Sequence, residues 1–334
     1  MTEIWKRFHW KKEVRKSAKN ASKQPNYDEC KAAEVTVFPY SHDPTIAWEL
    51  LKTRYPSKSC KSMKLDTPVK PDHVRFVCIS DLHSVHDKIM FDIPDGDILI
   101  VAGDFTTCGH PKEIEDFNLF LAFFLFSVFP GSLPHKFKIV ICGNHELTFD
   151  NNLRKTSFLG FEKVFKNYDS KGTGLRQSIA KALEESRIGD VRELLTNCVY
   201  LEDSFVELYG IKIYGTPWQP AFDNWAFNLP RGYGCLEKWK KIPPLVDVLI
   251  THTPPIGHGD LTRNGVRAGC VELLQCVRRR IRPKYHIFGH IHEGYGCTTD
   301  GYTTFINCST CDIFMSPTNP PIIFDIPLPP GCVK

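Results

Sequence analysis

The sequence predicts an α/β fold whose buried strands deliver polar side chains to one edge of a sheet. Three observations carry this. Short apolar runs rich in β-branched residues recur from His73 onward, each of five such runs ends in Asp, Asn or His, and helix-like or loop segments follow them. Runs that are continuous rather than alternating belong to strands covered on both faces, which places helices on either side.

The bulk properties bound this reading. With 334 residues and 42% hydrophobic content, the chain is long enough to bury a large core. No run approaches the roughly 20 apolar residues that span a bilayer; the greasiest, "LFLAFFLFSVF" from Leu119 to Phe129, reads as part of a buried helix. The amino terminus lacks the apolar core and cleavage site of a secretory signal, so a cytoplasmic location is the expectation. Thirteen cysteines without framework spacing argue for reduced thiols. Residues 1–31 hold nine Lys/Arg against four Asp/Glu, which leaves 33 basic and 34 acidic residues for the rest. Stable nucleic-acid binding needs a basic excess on the folded body, and none is present.

Taken in order, residues 1–72 form a basic, partly flexible extension whose partner the sequence does not name. Within it "SHDPTIAWELLKTRY" offers a cap and Pro44 in a first turn, which predicts a short helix. "KLDTPVKPDH" leads into the main domain, residues 73–334. The strands there are "VRFVCIS" before "DLH", "DILIVA" before "GD", "FKIVIC" before "GNHE", "VDVLI" before "THTPP" and "YHIF" before "GHIH". A helix is predicted over 111–126, with Pro111 and three acids in its first turns. Two more helices are expected around 174–195, and further strands over 198–215 and 303–326.

Ligands in open α/β sheets gather beyond the carboxyl ends of strands, so the five turns can converge. They carry Asp81 and His83; Asp104; Asn144 and His145; His252; His290 and His292. Singly, each has a plain structural explanation as a cap, a turn or a packed histidine. Jointly they form an oxygen and imidazole set suited to manganese, iron or zinc rather than to thiolate-bound structural zinc. Without His145 the set has seven members, too many for one open centre, and it divides over two.

These blocks, "DLH", "GD", "GNHE", "TH" and "GHIH" in that order, resemble the calcineurin-like metallophosphoesterases, over roughly residues 73–326. The fuller wording "GDFTTCG", "GNHELTFD" and "THTPPIGHGDLTRNG" is similar to the metallophosphoesterase-domain-containing subgroup of animals. The resemblance implies a four-layer αββα sandwich with two mixed sheets. It implies two divalent cations, manganese first and iron or zinc as alternatives. Asp81, His83 and His292 would hold one, Asn144, His252 and His290 the other, with Asp104 between them. It further implies hydrolysis of phosphodiesters, small or cyclic nucleotides above all, by hydroxide held at the metal pair, with His145 as proton donor to the leaving oxygen.

One departure bears on substrate. Where many phosphatases of the wider family read Gly-Asp-x-x-Asp-Arg-Gly, this chain has Thr107 and Cys108, which supply neither charge. That disfavours protein-phosphatase activity and suits diesters, whose single charge needs less clamping. Substrate contacts are expected from His258 and Asn144, with Arg263 and Arg267 as further candidates for phosphate. The aromatics of "WQPAFDNWAFN" would either stack a nucleobase or build a local core. Two rival readings stand beside this one: a low-turnover metal- and nucleotide-binding scaffold, and a nuclease acting on polymers.

Overall fold

The five apolar runs are strands, and all five end where the blocks begin. The computed structural model describes residues 27–122, 133–151, 179, 181–184 and 189–334. Among these the strands are β1 (Lys58–Ser59), β2 (His73–Ile79), β3 (Ile98–Ala102), β4 (Phe137–Ile141), β5 (Val199–Tyr200), β6 (Ser204–Leu208), β7 (Ile211–Thr216), β8 (Gln219–Pro220), β9 (Asn228–Leu229), β10 (Val248–Thr251), β11 (Tyr285–Phe288), β12 (Gly296–Thr299), β13 (Thr304–Asn307) and β14 (Ile322–Pro327). One sheet has the order β14-β2-β3-β4-β5, and the other β1-β12-β13-β11-β10-β7-β6. Both are mixed. β2 to β5 pair in parallel while β14 returns antiparallel on β2, and β7, β10, β11 and β13 are parallel while β6, β12 and β1 are antiparallel additions.

Alternation along each strand explains why the runs are apolar throughout. Phe76, Cys78, Ile98, Ile100, Ile139 and Ile141 point into a core shared with Ile213, Val248, Ile250, Ile287 and Ile306 of the second sheet. Their neighbours Val77, Ile79, Leu99, Val101 and Val140 face the opposite way, onto Ile114, Phe117 and Leu121 of a covering helix. Behind the second sheet, Leu249, Phe288 and Phe305 pack on Trp239, Leu273 and Leu274. The layers are therefore helix, sheet, sheet, helix, which is the αββα sandwich.

The helices follow their local signals. Among the described residues those with named bounds are, in chain order, α1 (Tyr27–Ala32), α2 (Pro44–Leu51), α3 (Pro111–Leu121), α4 (Tyr233–Trp239) and α5 (Val271–Cys276). Asp43 caps α2 by accepting from the Ile46 amide, with Pro44 in the first turn. α3 begins with a capping box built by His110 and Glu113. It stops at Leu121, and the rest of the predicted span to 126 passes into residues 123–132, outside the described residues. Of 174–195, residues 174–178, 180 and 185–188 lie outside them too; the described part is helical at 179 and 181–184 and contains a short 3-10 turn, Val191–Leu194.

The expected boundary at residue 72 does not coincide with a gap in packing. Val35, Phe38, Ala47, Trp48, Leu51 and Tyr55 are buried in the same core as α4 and α5, and β1 joins the second sheet through β12. Burying a side chain such as Leu51 is worth roughly 1.5–3 kcal/mol, so this segment contributes to the main body. Of the basic stretch 1–31, residues 1–26 lie outside the described residues.

Candidate metal centre

Each sheet supplies half of the candidate centre. Asp81, Asp104 and Asn144 follow β2, β3 and β4; His252, His290 and His292 follow β10 and β11. The chain leaves these strands in conformations ordinary residues avoid: Asp81, His83, Asp104 and His290 have φ of 53°, 42°, 51° and 68°. Non-glycine residues held there store strain, which a structure keeps where side chains must be aimed. Two glycines permit the crowding. A Cβ on Gly143 would stand 2.3 Å from Asp104 Oδ1, and one on Gly289 would stand 2.0 Å from Asp81 Oδ2.

Three overlapping groups of donor atoms result, each with all its atoms within 4.8 Å of one another: Asp81, His83 and His292; His83, Asp104 and His145; and Asp104, His252 and His290. Asn144 completes the last, its Oδ1 lying 3.0 Å from His252 Nε2. Asp104 is common to two groups, as a bridging carboxylate would be, with Oδ2 3.2 Å from His252 Nε2 and 4.0 Å from His83 Nε2. The donor set fits divalent cations. His83 Nε2 and His292 Nε2 face each other at 3.2 Å, a placement that leaves opposed lone pairs unless a proton or cation stands between.

Further contacts fix the donors, as at metal sites generally. Asp81 accepts the His290 amide at 3.0 Å and the Ser309 hydroxyl at 2.8 Å. His252 Nδ1 donates to the Ala102 carbonyl at 2.9 Å, and His292 Nδ1 to the Asp312 carbonyl at 2.9 Å. Both tautomers leave Nε2 toward the centre.

The electrostatics divide the imidazoles into two kinds. Burial pushes His83 down to about 4 and His290 down to about 3, so both offer free lone pairs at neutral pH. Burial acts the same way on His252 and His292, but the carboxylates of Asp104 and Asp81 outweigh it and raise each to about 9. Burial would in turn raise Asp81 and Asp104; His292 and His252 respectively outweigh it and hold both carboxyls below the usual range.

His145 lies at the edge of the cluster, its Nε2 4.0 Å from Asp104 Oδ2. Its Nδ1 donates to the Thr107 carbonyl at 2.7 Å, and the Trp225 ring lies 3.9 Å away at 30°. A backbone carbonyl thus orients the imidazole where the wider family's motif offers a carboxylate. Two glutamates shape the loop that presents it. Buried Glu146 accepts from the Asp104, Thr106 and Gly143 amides and the Thr106 hydroxyl, at 2.6–3.0 Å. Burial, with Asp104 adding its charge, raises Glu146 to about 8 against the pull of those donors. Glu113 accepts from the amides of Thr107, Cys108 and His110 and the hydroxyls of Thr107 and Ser84. Neither glutamate declares this role in the sequence, where Glu146 is the last letter of "GNHE" and Glu113 a helix-start acid.

The expected substrate contacts separate. Asn144 is at the centre. His258 is fully buried, its ring stacked on Phe305 at 3.7 Å and its Nδ1 2.8 Å from Thr298 Oγ1. It packs into the core behind the second sheet, which corrects the expectation that a glycine-flanked loop histidine would face substrate. Arg267 pairs with buried Asp260 and covers Trp48 at 5.0 Å, so it braces the loop. Of the aromatics, Phe227 is core, Trp218 donates to Asp203 at 3.0 Å, and Phe222 lies 5.9 Å from His290.

Among solved structures, a phosphopantetheinyl hydrolase from Mycobacterium tuberculosis matches at 16% identity and a TM-score of 0.41, over 79% of this chain and 100% of that one. A UPF0046 protein of Caenorhabditis elegans is 52% identical over 298 residues, covering 89% of this chain and 71% of the relative. The human metallophosphoesterase domain-containing protein 1 is 49% identical over 269 residues, covering 79% of this chain and 74% of the relative. The family model for calcineurin-like phosphoesterase matches residues 74–294. The chain therefore belongs to the calcineurin-like phosphoesterase family.

Proposed function

We propose that the protein is a two-metal phosphodiesterase acting on small or cyclic nucleotides in a reducing, cytoplasmic setting. The observation that carries this is Asp104, which belongs to one donor group with His83 and His145 and to another with His252 and His290. Asp81, His83 and His292 would hold one divalent cation and Asn144, His252 and His290 the other, with Asp104 available to both; manganese is the first expectation, with iron or zinc as alternatives. Bound cations supply an activated water near neutral pH and neutralise charge on the phosphoryl oxygens.

The protein's own groups do the rest. The two sheets hold the donors in place before substrate arrives, so little ordering remains at the reacting centre. His145 gives a proton from Nε2 to the departing oxygen while Nδ1 stays bonded to Thr107. Diesters are favoured because Thr107 and Cys108 bring no extra charge to grip a dianionic monoester. All thirteen cysteines are free thiols, which fits the reducing compartment. No helix among the described residues is long and apolar enough to cross a membrane.

The test is a panel of cyclic nucleotides, bis(p-nitrophenyl) phosphate and p-nitrophenyl phosphate, assayed after chelation and reloading with manganese, iron or zinc. Diester turnover exceeding monoester turnover is the expected result. Nucleotide binding without turnover under every metal would replace this reading with a scaffold role.

A further inference from the structure

Phe222 is an exposed aromatic that the fold holds in place rather than releases. It is 51% exposed, on a loop between the paired strands β8 and β9. Asn228 pins that loop from inside: its Oδ1 accepts the Phe222 amide at 3.2 Å, and its Nδ2 donates to the carbonyls of Phe222 at 3.2 Å and Asp223 at 3.0 Å. Asp223 takes a φ of 46° to complete the turn. The outcome is a ring 5.9 Å from His290, edge-on at 79°, with half its surface open to solvent.

The same loop is tied to the catalytic edge. Ala226 donates its amide to the Asn144 carbonyl at 3.0 Å, and Trp225, only 9% exposed, is spent on His145. Phe222 is the ring of this segment left with an open face beside the centre. A preoriented aromatic next to a cluster of polar donors is an arrangement that stacks a flat base, because every base has a π-face.

We propose that Phe222 determines specificity by stacking the nucleobase of the substrate, so that esters carrying a base are preferred over those carrying only sugar or alkyl groups. This rests on the phosphoester reading above, and it names which part of the substrate is recognised.

The experiment measures equilibrium binding of AMP and of ribose 5-phosphate to the manganese-loaded full chain, which needs no turnover. Wild type should bind AMP roughly tenfold or more tighter than ribose 5-phosphate. Phe222→Ala and Phe222→Leu should erase the difference, and Phe222→Trp should keep it. Phe205→Ala, an aromatic 54% exposed on β6, should also keep it. Equal binding of the two ligands by wild type, or a preference that survives Phe222→Leu, overturns the proposal. A protein that hydrolyses no diester yet discriminates AMP through Phe222 would sink the phosphodiesterase reading and leave this one standing.

Discussion

The Thr107 carbonyl oxygen and His145 Nδ1 lie 2.7 Å apart. A carbonyl can only accept, so Nδ1 carries a proton and the ring is turned with Nε2 toward Asp104. A proton donor matters most where the leaving oxygen is basic. His145→Ala should therefore slow alkyl and nucleoside esters by roughly 100-fold to 10,000-fold and activated p-nitrophenyl esters far less. Equal losses across leaving groups would remove the proton-donor role.

Chelation should abolish turnover, and manganese should restore it. Because His252 and His292 are raised to about 9, both are protonated at pH 7 in the cation-free protein. A bound cation needs their neutral forms, so loading should release protons. Calorimetric titration in buffers of different ionisation enthalpy counts them. Asp104→Ala should lose turnover by roughly 1,000-fold or more while keeping its circular dichroism spectrum.

Loop bracing can be tested apart from metal binding. Glu113→Ala leaves three backbone amides without their carboxylate, at a cost of about 1–3 kcal/mol in stability. Turnover should fall with it, because Thr107 sits in the loosened loop. Thermal melts and kcat on one panel of variants check this. Glu146→Ala should do more damage, since it takes the acceptor from the Asp104, Thr106 and Gly143 amides and the Thr106 hydroxyl together.

Gly289→Ala should cost more activity than stability. Its Cβ would meet Asp81 Oδ2 and Ser80 Oγ at 2.0 and 2.3 Å, so Asp81 must turn away from His292. Manganese affinity, measured by titration, should weaken by tenfold or more, about 1.4 kcal/mol or above.

Acid should destabilise the fold before the site carboxylates titrate. Burial lowers His135 to about 4 and His286 to about 3, against an ordinary value of 6.5. Above pH 6.5 both are neutral folded or unfolded and neither affects stability. Below it the unfolded chain takes up protons that the folded chain refuses, so each costs up to about 1.4 kcal/mol per pH unit until its folded value is passed. Urea denaturation at pH 7 and pH 5 should show the drop, and His286→Gln should flatten it.

The strands and the seven candidate donors are legible in the sequence because period and position state them directly. An apolar run followed by Asp-x-His needs no tertiary information to read. Glu146 and Glu113 were not legible, since accepting several backbone amides is a property of loops meeting in space. His258 misled for the same reason: glycine neighbours describe the freedom of a backbone, not the direction of a side chain. The segment from Val35 to Tyr55 reads as an appendage only while its surrounding lysines and arginines are weighed above Trp48, Leu51 and Tyr55, which pack into the core.

Asp81, Asp104 and Asn144 ride on one sheet, and His252, His290 and His292 ride on the other. The greasy seam of isoleucines and valines between the layers, with the hydrogen bonds from the His290 amide to Asp81 and from His252 to the Ala102 carbonyl, keeps the two sets in register. Catalytic competence is therefore a gauge of interlayer alignment: slippage of an ångström, too small to unfold either layer, pulls the donors apart. Inactivation on warming should precede melting.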